Sequence, residues 1–187
     1  AVRYYDQDLA LAKDLQNKVN MGRAYCNVGL CHLALGNNEE ALECQKYFLA
    51  IAHMTNNNNG KFRALGNIGD VLIKMGDLDE AAKMFQRQLQ IARQLRERNL
   101  EASACGSLGL VNRLMKKFDK ALGFHTQELT LRQEMADILG ECRCHQSLGA
   151  VHMAIGNFIH ALKCYQEQLE RSQELKDMSQ ISNAFGN

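Results

Sequence analysis

The chain has 187 residues, 46% of them hydrophobic, and its 22 basic and 21 acidic side chains leave a net charge of +1. That balance lacks the basic excess that nucleic-acid or membrane-surface binding needs, and no apolar run approaches the ~20 residues of a membrane span. The seven Cys are odd in number and do not look like a disulfide framework; read as small buried hydrophobes they suggest a reducing setting, the cytosol or the nucleus.

Taken in chain order, residues 1–20 open with the second helix of a truncated repeat. Ala1 and Leu9 stand 40 residues before Ala41 and Leu49, and the same step carries Ala81, Ala121 and Ala161 and then Leu89, Leu129 and Leu169. Gly29, Gly69, Gly109 and Gly149 keep it too. A fixed period of this size marks a stacked array in which each unit buries its apolar face against its neighbours. Four full repeats follow at 21–60, 61–100, 101–140 and 141–180, and 181–187 begins a further truncated one. The register therefore implies a longer array, with apolar faces at both ends that would associate end to end.

The repeat 61–100 shows the chemistry of one unit. Phe62, Leu65, Ile68, Val71, Leu72 and Met75 recur at spacings of three and four, which predicts an amphipathic helix of roughly 15 residues. Gly76 ends it, and Asp77 with Glu80 reads as a capping box opening a second helix of roughly 18 residues. Ala81, Met84, Phe85, Leu89, Ala92 and Leu95 are its stripe. Asn57, Asp137 and Asp177 stand before the next first helices as capping types. Gly29 and its equivalents sit inside first helices, where Gly costs about 1 kcal/mol relative to Ala. Their expected role is close approach of the second helix, with the Ala41 column as the facing small residues. The fold class is all-α, a solenoid of antiparallel helix pairs.

No chemistry-bearing constellation rises above the repeat. Cys142-x-Cys144-His145 resembles half a zinc site, but residues two apart on a helix diverge and no second pair stands at a usual spacing. His125 with Glu128 is a helical neighbour pair, and His145 shares a column with Tyr25, Leu65 and Cys105, as a core filler would. Every Gly is explained by its repeat position, so no phosphate loop is present. The expectation is a non-catalytic chain with no metal and no cofactor.

The pattern of Leu-Gly, a His three residues on (His32, His152), then Gly, Ala and an aromatic four residues later (Phe85, Tyr165) resembles the tetratricopeptide repeat. That family's usual unit is 34 residues. The 40-residue version, with Gly22-Arg23-Ala24, Asn27-Val28-Gly29, Leu35-Gly36-Asn37 and Ile91-Ala92-Arg93-Gln94-Leu95, is similar to the Partner-of-Inscuteable family of spindle-orientation adaptors. The resemblance implies that first helices line a concave wall, that Arg and Asn columns there hold acidic extended peptides, and that the setting is cytoskeletal or tied to cell division.

On that wall the sequence places Arg23, Arg63, Ser103 and Arg143, then Asn27, Asn67, Ser107, Ser147 and Asn187, then Leu30, Asp70, Leu110 and Ala150. Arg113 and Lys74 lie one turn beyond. Steps of four and three keep these columns on one helical face. Five basic side chains (Arg23, Arg63, Lys74, Arg113, Arg143) stand against Asp70. Such a groove would focus its field on an acidic, disordered segment of another protein, gripping carboxylates through Arg and peptide backbone through Asn. Ser103 interrupts the Arg column, and Ser107 and Ser147 the Asn column, so the N-terminal repeats are the expected stronger part. The competing readings are local bracing by these same side chains, use of the convex second helices, a spacer or self-assembly array, and a regulatory array attached to a catalytic domain elsewhere in a longer protein.

Overall fold

The computed structural model describes residues 17–185, with side chains through Lys176, and the chain falls into two units divided after Leu95. The first holds α1 (Lys18–Ala34), α2 (Asn38–Met54), α3 (Asn58–Met75) and α4 (Leu78–Leu95). In it α1 packs on α2, α2 on α3, and α3 on α4. The second holds α5 (Arg98–Leu114), α6 (Phe118–Glu134), α7 (Ile138–Ala154) and α8 (Phe158–Phe185), packed in the same sequential order. No described residue lies in a strand. The second helix expected before residue 17 lies outside the described residues.

The helices end by one device. Gly36, Asn56, Gly76, Arg96, Lys116, Ala136 and Gly156 all take a left-handed backbone, with φ between +49° and +85°. They fall every 20 residues, so the 40-residue repeat hides a backbone period half as long. After the first of these turns Asn37 N–H bonds to the His32 carbonyl at 2.9 Å, and Asp77, Lys117 and Asp137 repeat the pattern on Leu72, Asn112 and Arg132. This six-to-one bond satisfies carbonyls that a helix end leaves orphaned. First helices start three residues before the repeat boundaries at 61 and 141, because Asn57 and Asp137 cap them: their side chains accept from Gly60 N–H at 2.8 Å and Gly140 N–H at 2.9 Å. Asp77 does the same for Glu80 N–H at 3.3 Å.

Two expectations need correction. No new helix opens after residue 177, since α8 runs to Phe185 without a turn. Leaving the helix at Lys176 would require a left-handed non-Gly residue, costing about 1–2 kcal/mol. Gly29 and its equivalents face large side chains, not the Ala column. A Cβ on Gly69 would stand 2.5 Å from Phe85 Cζ, one on Gly109 2.5 Å from His125 Cε1, and one on Gly149 2.8 Å from Tyr165; at Gly29 the neighbour is Gln45. Each hollow in a first helix receives a knob from the second helix one turn past the Ala. Ala41, Ala81, Ala121 and Ala161 are nonetheless at most 1% exposed.

Candidate functional site

In the first unit Arg23 and Arg63, neighbours in one column, line a recess of about 180 Å³ together with Phe48, Ile51 and Asn57. Both arginines are exposed, but the Arg63 guanidinium also reaches Cys26 Sγ at 3.6 Å. In the Asn column, Asn67 is committed to the scaffold. Gln45 Nε2 donates to the Cys26 carbonyl at 3.0 Å, and Asn67 Nδ2 donates to Gln45 Oε1 at 3.0 Å and to Cys26 Sγ at 3.5 Å. One amide chain thus ties α1, α2 and α3 together, and Asn67 braces helices as the competing reading has it. Burial pushes the Cys26 thiol pKa up, against the pull of Arg63 and the Asn67 bond. Leu30, Asp70 and Lys74 are exposed, and Asn27 is half-buried.

The second unit carries a wider cleft of about 580 Å³. It gathers Ser107 and Arg113 from α5 with Arg143 and Ser147 from α7, four side chains that the columns place on this face. It also gathers Arg132, His125 and Glu128 from α6 and Gln146 from α7, which the columns do not include. Asn187 lies outside the described residues.

Arg132 lines this cleft and is only 7% exposed. Its NH1 donates to Asn99 Oδ1 at 2.6 Å and to Asp137 Oδ2 at 2.9 Å, and its NH2 donates to Ser103 Oγ at 3.2 Å. Its buried Nε–H has no hydrogen-bond partner. The arginine missing from the first-helix column at Ser103 is therefore supplied from the second helix, and Ser103 holds it. Gly140 permits the approach, because a Cβ there would stand 2.5 Å from Arg132 Cδ. The residues 80 and 40 positions earlier are Ala52 and Ala92, both buried. An Arg in that otherwise small column was the signal available in the sequence.

The opposing charge in the cleft is Glu128. Its carboxylate lies over Gly106, where a Cβ would meet its oxygens at 2.8 Å, and Oε2 is 3.3 Å from His125 Nδ1. Beneath it, burial and then the Glu128 charge push the fully buried Cys144 thiol up to about 12. That thiol stays protonated and unreactive near neutral pH. Among the described residues no cluster of three or more metal-ligating side chains forms, and no helix is long and apolar enough to cross a membrane.

Two family profiles, each described as tetratricopeptide repeat, match residues 61–134 and 22–52. No curated protein sequence matches the chain. Among solved structures, BtubC (BKLC) from P. vanneervenii is similar at 19% identity and TM-score 0.82, over 92% of this chain and 72% of that one. The TPR-like repeats of a putative kinesin light chain from Podosopora anserina are similar at 14% identity and TM-score 0.76, over 93% and 86% of the two chains. A Rap protein complexed with competence and sporulation factor shares 14% identity and TM-score 0.81, over 97% of this chain and 51% of that one. At these identities the likeness is one of fold. With both profiles on the helix pairs described above, the chain is a tetratricopeptide-repeat protein, a helical scaffold for protein interaction.

Proposed function

We propose that the chain is a non-catalytic scaffold that holds an acidic, extended segment of another protein along its first-helix face, with the cleft of the second unit as the anchor. The observation that carries this reading is the convergence of Arg113, Arg132 and Arg143 in one cleft with Glu128 as the opposing charge. A recessed positive site concentrates field on an anionic ligand, and Arg forks match carboxylate geometry. On this reading the stronger binding lies in the second unit, whereas the intact Arg and Asn columns favour the N-terminal repeats. The difference arises because Asn67 and Arg63 are engaged with Gln45 and Cys26, while Arg132 is added where no column shows it. The resemblance to the Partner-of-Inscuteable family suggests a cytoplasmic, cytoskeletal or cell-division setting. A finer likeness, to the large tetratricopeptide repeat protein 28, rests on Gly140-Glu141-Cys142-Arg143 and on Lys163-Cys164-Tyr165-Gln166-Glu167-Gln168-Leu169. The test is a displayed library of disordered peptides, screened against the chain and an Arg23→Glu/Arg63→Glu/Arg143→Glu variant. Acidic, extended motifs should enrich and vanish with the variant; enrichment of the same peptides by both proteins rejects the groove.

A second reading has its own observation. On α8, Phe158, Leu162 and Leu169 are 64%, 59% and 60% exposed, whereas Leu89, in the Leu169 column, is 7% exposed. The occupant that fits is a second copy of this chain, covering the stripe end to end. A strictly monomeric light-scattering mass at millimolar protein removes this reading.

A further inference from the structure

We infer that the cleft of the second unit takes a phosphorylated side chain, a phosphomonoester dianion carried on the partner segment. This rests on reading the cleft as the anchor of an acidic segment, and it names the chemical group that fits. The first ground is charge. Three guanidinium groups line the cleft against one carboxylate, Glu128, and that carboxylate has His125 Nδ1 beside it at 3.3 Å. Arg132 is ion-paired with Asp137 at 2.9 Å, so Arg113 and Arg143 carry the positive charge left for a ligand, and a phosphomonoester near −2 at neutral pH attracts both more strongly than one carboxylate does.

The second ground is direction. Arg113, Arg132 and Arg143 come from α5, α6 and α7, so the donors reach the cleft from three helices. A carboxylate offers two acceptor oxygens in one plane, which a single guanidinium fork can engage together, whereas a phosphate offers three acceptor oxygens spread around a tetrahedron. The third ground is the free donor. Arg132 is held by Asn99, Ser103 and Asp137 through NH1 and NH2, which fixes the guanidinium before any ligand arrives. Its buried Nε–H is left unpaired, and a buried donor without an acceptor is unfavourable until one is supplied. Ser147 and Gln146 add neutral donors at the rim.

The test uses the whole chain and the Arg Nε–Hε resonances. N-acetyl-phosphoserine N-methylamide, N-acetyl-glutamate N-methylamide and inorganic phosphate are titrated in separate arms. The expected result is a saturable shift of the Arg132 Nε–Hε resonance with the phosphoserine probe, at an affinity about tenfold above the glutamate probe. Arg143→Gln, on an exposed side chain, and Arg113→Gln should each weaken the phosphoserine probe by about tenfold with helix content unchanged. Equal affinity for the glutamate probe overturns the phosphate assignment and leaves the acidic-segment anchor standing. No shift with any probe overturns both. Inorganic phosphate binding as tightly as the phosphoserine probe overturns the assignment to a peptide segment.

Discussion

The two units share a frame and differ in what the second helix sends inward. In α2 and α4 the inward knobs are Gln45, Phe48, Phe85 and Gln88, and the small column holds Ala52 and Ala92; all six are buried. In α6 the same columns hold His125, Glu128 and Arg132. The first unit closes its hollows with apolar rings and an amide chain, while α6 of the second sets Glu128 over Gly106 and Arg132 beside Gly140, and the cleft there is over three times as large. The Ala column and the left-handed turns keep the backbone constant. The second-helix columns at 125, 128 and 132 thus change their chemistry without a change in the helix order.

The most severe way to break the contrast is Arg132→Met. Removing this buried cation strands Asn99, Ser103 and the partly buried Asp137, and should cost about 3 kcal/mol. Hydrogen exchange should show the loss in α5, α6 and α7, and an unchanged exchange pattern there would show that Arg132 does not hold the cleft together. Gly109→Leu should cost about 2 kcal/mol by driving a side chain into the His125 ring, measured as a lower melting temperature. Gly123→Ala, with nothing near its added Cβ, should instead stabilise by about 1 kcal/mol. Ala136→Gly relieves a left-handed backbone (φ +53°) and should gain about 1 kcal/mol; denaturant midpoints resolve both signs.

The mildest effect is pH. Burial, partly countered by Glu167 and Glu141, lowers the His145 pKa from 6.5; burial and the His160 charge lower that of His152. In each case the unfolded state binds the proton first, so the stability held above about pH 6.5 falls as pH drops through the folded values. Both histidines lie in the second unit. Exchange at pH 7.5 and 5.5 should therefore loosen α7 before α3. Equal loosening of both helices would remove the distinction.

The fold was legible because a 40-residue step in Gly, Ala and Leu columns admits little besides stacked helix pairs. The turns were less so. Gly36, Gly76 and Gly156 advertise a left-handed residue, whereas Arg96, Lys116 and Ala136 adopt the same backbone without a sequence cue. The Gly hollows were assigned to the wrong neighbour because small residues on both helices invite pairing, while close packing sets a large knob in each hollow. Arg143, Arg113, Ser107 and Ser147 were placed on the face that lines the cleft by helical spacing. Arg132 was not, since it belongs to the helix that repeat reasoning reserves for packing; its departure from the Ala52 and Ala92 column was the readable sign. Asn67 shows the reverse: its column position is right, but its amide is already spent on Gln45 and Cys26.

The central claim is that the second unit, not the first, anchors an acidic segment. The direct measurement is the anisotropy of a fluorescein-labelled, unstructured Glu/Asp-rich peptide titrated with the chain, with Arg143→Glu and with Arg23→Glu, at low and high salt. The account predicts salt-sensitive binding that Arg143→Glu weakens by about tenfold or more and Arg23→Glu by about twofold or less. An equal or larger loss with Arg23→Glu, or binding indifferent to both changes, would contradict it.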